Sequence, residues 1–280
     1  MMPRQVIEVQ QARASQDGAG VAIQRIAGMR HSGMDPVLMI DELRSEQRDD
    51  FAAGFPPHPH RGMQTLTYMK HGGIIHEDNQ GNRGEIRGGG AQWMSAGRGI
   101  IHSEMPTQDT QGLHGFQLWF NLPAADKMLA PRYRDIAAAD LALHDGNGRR
   151  VFAIAGDWVL GDVAISGPLF ELVPQADMLD LSMPAGDRLV IESGVGQTLI
   201  AYVYDGSLAD PRGDIAARHL AITGEGDSWE LRAGDAGAGL LLLRGTPLRE
   251  PIAHYGPFVM NTPAEIEQAL RDYQSGNFGT

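Results

Sequence analysis

Short apolar segments alternate with glycine-rich turns through the first half of the chain. Residues 64–69 are rich in β-branched and aromatic side chains and end at a His-Gly-Gly turn, which predicts a strand. The same pattern predicts further strands at 74–76, 92–94, 100–102 and 115–122. Closely spaced strands joined by turns are typical of a sandwich or barrel rather than of alternating strands and helices.

An alanine- and aspartate-rich stretch, residues 134–150, separates this half from a second set of apolar segments. We place a domain boundary inside it, which gives an N-terminal domain of residues 1–136 and a C-terminal domain of residues 145–280. Near-duplicate turns are predicted at 184–187 and 232–235. Strands in this second domain are predicted at 151–154, 169–173, 178–183, 187–193, 198–205 and 239–244.

The C-terminus carries a helix signal. Thr262 and Glu265 form a capping box, and Pro263 occupies the first helical position. We expect a helix from 263 to about 275, whose apolar face is formed by Ile266, Ala269, Leu270 and Tyr273. The chain is therefore predicted to be all-β with one short C-terminal helix.

Composition and charge narrow the classes of function. The 36 glycines and 16 prolines, with only 6% aromatic residues, argue against a helical bundle. A net charge of −12 argues against binding to nucleic acid or to anionic membranes. The absence of cysteine excludes disulfides, thiolate zinc sites and a cysteine nucleophile. No apolar stretch follows the first residues, and the longest aliphatic run is residues 240–243, so we expect a soluble, cytoplasmic protein.

Two pairs of residues carry the chemistry. His58 and His60 are two positions apart, and His102 and Glu104 repeat this spacing. On an extended strand each pair would point to one side, so two pairs facing each other across a narrow barrel would bring three nitrogens and one oxygen to one point. Such a donor set predicts a divalent metal, since imidazole suits iron, copper, nickel or zinc and the carboxylate favours iron.

A single His-x-His is usually solvated, and only the combination of two pairs in glycine-bounded strands of one domain favours a metal. We interpret His76 as a hydrogen-bond partner at the end of a hairpin and His114 as a residue that contacts the site from behind the ligands. The other histidines are interpreted as surface or structural residues: His31, His71, His144, His219 and His254.

Five segments resemble the pirin family, and together they span most of the chain. Their motifs are long and specific: residues 55–65 (FPPHPHRGMQT), 76–78 (HED), 95–105 (SAGRGIIHSEM), 114–119 (HGFQLW) and 256–262 (GPFVMNT).

This resemblance implies a bicupin, in which two cupin-type (jelly-roll) β-barrels share one chain and only the N-terminal barrel binds metal. The family's four ligands fall on His58, His60, His102 and Glu104. The implied cofactor is one divalent metal, with Fe2+ as the first candidate and Cu, Ni, Co, Zn or Mn as alternatives. Where many pirins have glutamate this chain has Gln64, whose neutral amide cannot act as a base, so Glu104 remains as the catalytic carboxylate.

Bacterial pirins resemble quercetin 2,3-dioxygenases, so the resemblance implies a dioxygenase that opens the heterocyclic ring of flavonols with dioxygen. Glu104 would be the base that takes the proton of the flavonol hydroxyl. The expected substrate pocket consists of Phe55, Met63, Gln64, Gln117 and Trp119, for which an ordinary place in the barrel core is the alternative.

Eukaryotic pirins imply a second hypothesis: a non-catalytic, iron-binding, redox-sensing protein that modulates a protein partner. A third interpretation, zinc-dependent hydrolysis, is disfavoured because three histidines and a glutamate crowd a zinc ion and no further acid is evident.

Overall fold

The computed structural model describes residues 2–279, and most of them lie in β-strands. The strands up to residue 136 are β1 (Val6–Gln11), β2 (Arg13–Asp17), β3 (Val21–Ala27), β4 (Val37–Ser45), β5 (Phe55–His60), β6 (Met63–His71), β7 (Gly73–Asp78), β8 (Arg83–Arg87), β9 (Ala91–Ser95), β10 (Ile100–Pro106), β11 (Leu113–Asn121) and β12 (Arg132–Ile136).

The strands that follow are β13 (Ala142–Gly146), β14 (Arg149–Ala155), β15 (Asp157–Leu160), β16 (Val163–Ser166), β17 (Ala176–Met183), β18 (Arg188–Glu192), β19 (Thr198–Leu208), β20 (Ile215–Ala216), β21 (His219–Thr223), β22 (Ser228–Gly245), β23 (Ala253–Tyr255) and β24 (Phe258–Met260). Single 3₁₀ turns occur at Ser32–Met34, Arg48–Asp50, Ala124–Asp126 and Ala138–Asp140.

Helix α1 (Pro263–Gln274) begins at the predicted capping box. The Thr262 hydroxyl accepts a hydrogen bond from the Glu265 backbone N–H, and the Glu265 carboxylate accepts one from the Thr262 backbone N–H. Ile266 and Ala269 are buried, as the apolar face predicted, whereas Tyr273 is 41% exposed. Within residues 2–279, no helix combines the length and apolar character that a bilayer crossing requires.

The chain forms two compact units. The first unit comprises Arg13–Arg30, Val37–Ala139 and Leu248–Thr280. It contains an antiparallel seven-stranded sheet in the order β12-β9-β6-β11-β4-β3-β2 and a four-stranded sheet in the order β5-β10-β7-β8. The pair β23-β24 and helix α1 also belong to this unit.

Apolar side chains fill one part of the first unit's interior. They include Val21, Leu43, Phe51, Met69 and Ile74, all at most 5% exposed. Strand β6 is central in its sheet, and its residues from Met63 to Met69 are buried on both faces.

The second unit comprises Met1–Ala12, His31–Pro36 and Asp140–Pro247. Its eleven strands form one sheet system in which β22 pairs with β17, β18 and β19. Its interior is a continuous apolar cluster that includes Trp158, Leu179, Ile191, Val203 and Leu240. This filled interior accounts for the lack of a cluster of metal-ligating side chains among the unit's described residues.

A single boundary between residues 136 and 145 does not reproduce these units, because the two ends of the chain are exchanged. Strand β1 pairs with β21 and so belongs to the second unit. Helix α1 belongs to the first unit, where Ile266 and Ala269 pack with Phe258, Met260 and Phe278. The composition of a linker can indicate a boundary between domains, but it does not show which strands pair.

Most predicted strands are confirmed, but residues 169–173 do not form one. Leu169 makes a single bridge with Ala155, and Leu169 and Leu172 are buried while Phe170 is 65% exposed. Pro168 precedes this segment and Pro174 follows it, so the ends of the segment lack backbone N–H donors for a ladder. The apolar residues anchor a loop to the core.

The turn predicted at 232–235 is also wrong, because these residues lie inside the long strand β22. Arg232 pairs with Arg188 of β18, whereas Ala238 pairs with Met183 of β17. Gly237, with φ +83°, allows the strand to bend between these two partners. A glycine-rich stretch here marks a bend and not a reversal of the chain.

Candidate metal centre and its cavity

Three histidines converge in the first unit. His58 and His60 lie on β5 and His102 lies on the adjacent antiparallel strand β10, directly opposite His58. One ring nitrogen from each lies within 4.8 Å of those of the other two. The ring centroids are 4.4 to 4.9 Å apart. The two predicted pairs therefore meet side by side on neighbouring strands of one sheet, and do not face each other across a barrel.

Each of these rings has one nitrogen engaged away from the cluster. His58 Nδ1 lies 2.8 Å from the Pro56 carbonyl oxygen, and the His60 ring donates to the backbone carbonyl of Pro257. His102 Nδ1 lies 3.2 Å from His76 Nδ1.

The opposite nitrogens, His60 Nδ1 and His102 Nε2, are buried and have no hydrogen-bond partner within the described chain. Buried polar atoms are rarely left in this state, and unprotonated imidazole nitrogens are metal donors. The residues present therefore fit a metal ion.

Burial keeps two of the rings neutral. It lowers the pKa of His60 well below the ordinary value, and the neighbouring His58 lowers it further. Burial likewise lowers the pKa of His102, with added contributions from His60, His58 and His76. A neutral imidazole is the form that binds metal, so the site is electrostatically prepared for a cation.

Glu104 is buried next to the cluster but stands outside its tight group of donor atoms. Its Oε2 and Oε1 accept hydrogen bonds from Gln117 Nε2 at 3.0 and 3.2 Å, and Thr67 Oγ1 lies 3.2 Å from Oε1. The β5–β10 register shifts between His102 and Glu104. The strand opposite carries Pro56 and Pro57 at this point, which offer no N–H to the ladder.

The histidine cluster borders a cavity of about 930 Å³ inside the first unit. Its apolar wall includes Met29, Leu38, Met39, Leu43 and Trp119. Its polar wall includes a half-buried ion pair, in which Arg25 Nε and Nη2 donate to the two oxygens of the buried Asp41 at 2.8 and 2.6 Å. Glu104 and Gln117 line both this cavity and a void of about 10 Å³ on the core side, so they form its floor.

The structure places three of the five predicted pocket residues in the cavity lining: Phe55, Gln117 and Trp119. Met63 and Gln64 are fully buried outside it. Met63 packs with Leu38 and Val259, and Gln64 Oε1 accepts a hydrogen bond from Trp93 Nε1 at 3.1 Å.

Gln64 was expected in the pocket together with the strand of His58 and His60, but Gly62 turns the chain between β5 and β6. Gly62 has φ +78°, and a Cβ there would lie 2.1 Å from the Val259 carbonyl oxygen. Alternation of side chains applies within one strand only, so Gln64 does not share the face of His58 and His60.

Three other histidines were also interpreted from the sequence. His76 forms hydrogen bonds near the end of the β7–β8 hairpin as predicted, and its side chain is fully buried. His114 Nε2 lies 3.1 Å from Glu42 Oε1, so the ring contacts a carboxylate away from the cluster. His254 is exposed, in agreement with its interpretation as a surface residue, and it also lines the cavity.

Sequence reasoning also missed Thr67, Arg25 and Asp41. Thr67 lies opposite Gln117 in the β6–β11 register, and Arg25 lies opposite Asp41 in the β3–β4 register. These pairings depend on strand register, for which the sequence carries no local signal.

Two β-barrels in one chain, with a histidine cluster suited to a metal in one of them, define a bicupin. The chain matches the pirin family over residues 20–120 and the pirin C-terminal cupin domain over residues 178–279. It belongs to the pirin family, and the predicted fold class, two cupin-type jelly-roll barrels with a short C-terminal helix, is confirmed.

Relatives and solved structures agree with this assignment. A protein of Vibrio cholerae and one of Pseudomonas aeruginosa, both named "putative quercetin 2,3-dioxygenase", are 44% and 45% identical over 278 residues. These alignments cover 99% and 98% of this chain and 98% and 97% of the relatives. The crystal structure of a quercetin 2,3-dioxygenase from Acinetobacter baumannii superposes with a TM-score of 0.89 at 29% identity, covering 99% of both chains.

Proposed function

We propose that this chain is a metal-dependent dioxygenase that opens the heterocyclic ring of flavonols such as quercetin. The observation that carries the proposal is the cluster of His58, His60 and His102 beside a large cavity, in which one buried ring nitrogen each of His60 and His102 has no partner within the described chain. The names of the V. cholerae, P. aeruginosa and A. baumannii proteins point to the same reaction.

His58, His60, His102 and Glu104 are the residues that would hold one divalent metal, with Fe2+ as the first candidate. Three imidazoles and a carboxylate suit iron and its neighbours in the divalent series, so the donor set does not select one of them. When bound, such a metal supplies Lewis acidity toward a substrate hydroxyl and a site at which dioxygen reacts.

Glu104 is the residue proposed to take the proton of the flavonol 3-hydroxyl. Its place outside the tight histidine group supports a ligand that can partly dissociate from the metal and then act as the base. Gln117 holds the carboxylate at the cavity floor by donating to both of its oxygens. A general base must be fixed within hydrogen-bond reach of the proton it removes, and this arrangement supports such a role.

The cavity supports an aromatic substrate of flavonol size. Its volume of about 930 Å³ lies at the upper end of the usual range for small-molecule sites, roughly 300–1,000 Å³. Trp119, Phe55 and Leu38 offer apolar surfaces to flat rings, while the histidines and Glu104 lie together at one part of the wall. Such walls exclude water from the reacting atoms.

The test is to add quercetin to iron-loaded protein in air and follow the flavonol absorbance. We expect a fast loss that disappears in His58→Ala and persists in His71→Ala, which removes an exposed histidine of the same unit. If no absorbance is lost with iron, copper, nickel or cobalt, the enzyme proposal is wrong. That outcome would favour the redox-sensing protein that modulates a partner.

Removal of the proposed base, Glu104, tests its role in the reaction. Glu104→Ala is expected to fold and to lower flavonol turnover at least about 100-fold, the usual contribution of a positioned general base. Turnover is measured with metal-loaded variant, and thermal unfolding reports whether the fold is kept. Unchanged turnover would remove Glu104 from the mechanism.

A further inference from the structure

A chain of three buried side chains runs from the histidine cluster to the β7–β8 turn. His102 Nδ1 lies 3.2 Å from His76 Nδ1, and His76 Nε2 lies 3.2 Å from Asp78 Oδ2. The side chains of His76 and Asp78 are both 0% exposed. The far end of the chain is His102 Nε2, which is buried without a partner.

With both rings neutral, hydrogen-bond chemistry fixes the direction of this chain. A contact between two neutral imidazole nitrogens needs one N–H and one lone pair. If His76 Nδ1 carried its ring's only proton, the bare His76 Nε2 would face the Asp78 carboxylate, and two lone pairs would meet. His76 must therefore carry the proton on Nε2, donate it to Asp78, and accept at Nδ1 from His102.

We propose that Asp78 and His76 are positioning residues that hold His102 in its Nδ1–H tautomer, so that Nε2 offers its lone pair to the metal. This inference rests on the proposed metal site. It gives Asp78 and His76 a role in metal affinity although neither belongs to the histidine cluster. Outer partners of this kind orient metal-binding histidines in many proteins.

The surroundings keep the two residues in place. Asp78 Oδ1 accepts from the backbone N–H groups of Gln80 and Asn82 at 2.9 and 3.0 Å, and Oδ2 accepts from Asn82 Nδ2 at 2.8 Å. Although burial opposes it, the hydrogen bonds from Asn82, His76 and the backbone lower the pKa of Asp78, so the group is an acceptor. The Tyr133 ring packs on His76 with centroids 4.7 Å apart.

Strand pairing sets the distances between these groups. Strands β7 and β10 are antiparallel, with His102 opposite Asp78 and Glu104 opposite His76. The chain of His102, His76 and Asp78 is therefore part of the sheet that carries the histidine cluster, and it does not depend on a mobile loop.

Asp78→Asn tests the inference because it keeps Oδ1 and its two backbone hydrogen bonds, and it removes the acceptor of Asn82 Nδ2 together with that of His76 Nε2. The amide N–H₂ that replaces Oδ2 is a donor, so His76 Nε2 must become the acceptor and His76 Nδ1 must carry the proton. His102 would then accept at Nδ1 and bear its proton on Nε2, so Nε2 would have no lone pair to offer to the metal. Glu42→Gln is the matched control, since Glu42 contacts His114 in the same way away from the cluster.

The first readout needs no metal. In ¹⁵N-histidine-labelled protein, the ring nitrogen shifts show which nitrogen of His102 is protonated, with His102→Ala used to assign the signal. We expect Nδ1–H in the wild type, Nε2–H in Asp78→Asn and no change in Glu42→Gln. Protonation of Nε2 in the metal-free wild type would overturn the inference.

The second readout is metal affinity, measured with Fe2+ or Co2+ by competition with a chelator. Asp78→Asn is expected to bind about 10- to 100-fold more weakly, with Glu42→Gln equal to the wild type and thermal unfolding unchanged. Equal affinity in Asp78→Asn and the wild type would contradict the positioning role. If the wild type shows no His58-dependent binding, the proposed metal site fails, and the tautomer measurement still decides the inference.

Discussion

Gln117 donates to both oxygens of the Glu104 carboxylate, at 3.0 and 3.2 Å, and its own Oε1 lies 2.7 Å from Thr67 Oγ1. The Thr67 hydroxyl has one proton and is closer to Gln117 than to Glu104, so it orients the amide while the amide orients the carboxylate. At the scale of single residues, the orientation of the proposed base therefore depends on one amide group.

Gln117→Leu tests this dependence. A hydrogen bond to a charged group is typically worth about 1.5–3 kcal/mol, so we expect flavonol turnover to fall about tenfold or more. The histidines are untouched, so metal content measured by elemental analysis is expected to stay at the wild-type level. Gln16→Leu, at an exposed position of the same unit, is the control. Loss of metal in Gln117→Leu would show that Glu104 acts chiefly as a ligand.

Much of the candidate site could be predicted at this scale, because its residues carry local signals. The spacing of His58 and His60, and of His102 and Glu104, indicates a shared side of a strand, and this brought the three histidines into one hypothesis. Their assignment as ligands stays a prediction. Gln117 was predicted as a pocket residue but not as the partner of Glu104, since that contact depends on how two distant strands align.

At the scale of elements, strand β5 explains how a sequence with three prolines can build the site. Proline offers no N–H to a ladder and is confined to sheet edges, and β5 is the edge strand of its four-stranded sheet. An edge strand has one side without a neighbouring strand, and every residue of β5 except Pro59 lines the cavity. The low β-strand propensity of proline alone would argue against a strand at these residues, whereas a position at the sheet edge permits one.

The hairpin β7–β8 contains a position where only glycine fits. Gly84 lies opposite His76, and a Cβ at this position would lie 2.1 Å from Tyr133 Oη and 2.2 Å from Asp135 Oδ2. Tyr133 Oη donates to Asp135 at 2.6 Å, and Gln92 Nε2 donates to Asp135 at 2.8 Å. An added methyl group would displace this hydrogen-bonded set, which packs against His76.

Gly84→Ala is therefore expected to destabilise the protein by about 1–3 kcal/mol, the usual cost of overpacking a filled region. Urea unfolding measures this change in the free energy of unfolding. Gly112→Ala is the matched control, because its new Cβ meets only the carboxylate end of the exposed Glu46 side chain, which can move away. Equal stability of the two variants would show that Tyr133 and Asp135 are free to shift.

The two wrong predictions of secondary structure have a common cause. Residues 169–173 and 232–235 were assigned from apolar content and glycine content, and both signals describe burial or flexibility and not ladder pairing. Prolines at both ends make the first segment a buried loop, and a second sheet partner makes the second segment a bent strand. Strands whose signal was period and length, such as β6 and β11, were predicted to within a few residues.

At the scale of the whole molecule, two β-domains could be predicted from the strand patterns, and the resemblance to pirins implied two barrels. The exchange of chain ends could not be predicted from either. The segment after residue 248 belongs to the first unit, and it brings His254, Gly256 and Pro257 into the cavity lining. Pro257 also receives the hydrogen bond from His60. The end of the chain is thus part of the candidate site, although it follows the second barrel in the sequence.

Lys127 fixes this returning segment to the barrel. Its side chain is 1% exposed, and Nζ donates to the Gly62 carbonyl, the Asn121 amide oxygen and the Val259 carbonyl at 2.7, 2.6 and 2.9 Å. Burial lowers the pKa of Lys127 to about 8 from its ordinary 10.5. The folded chain therefore releases this proton at a lower pH than the unfolded chain does.

This difference predicts how stability depends on pH. Below about pH 8 both states hold the proton, so Lys127 contributes no slope. Between about pH 8 and 10.5 the unfolded state binds more protons, so the free energy of unfolding rises with pH by about 1.4 kcal/mol per pH unit, or about 3 kcal/mol in all. Lys127→Met lacks the group, so the wild type is expected to gain that amount relative to the variant across this range. Urea unfolding of the wild type and of Lys127→Met at several pH values measures this difference, and groups that titrate in both proteins cancel. Parallel pH profiles of the two proteins would show that Lys127 has the same pKa in the folded and the unfolded state.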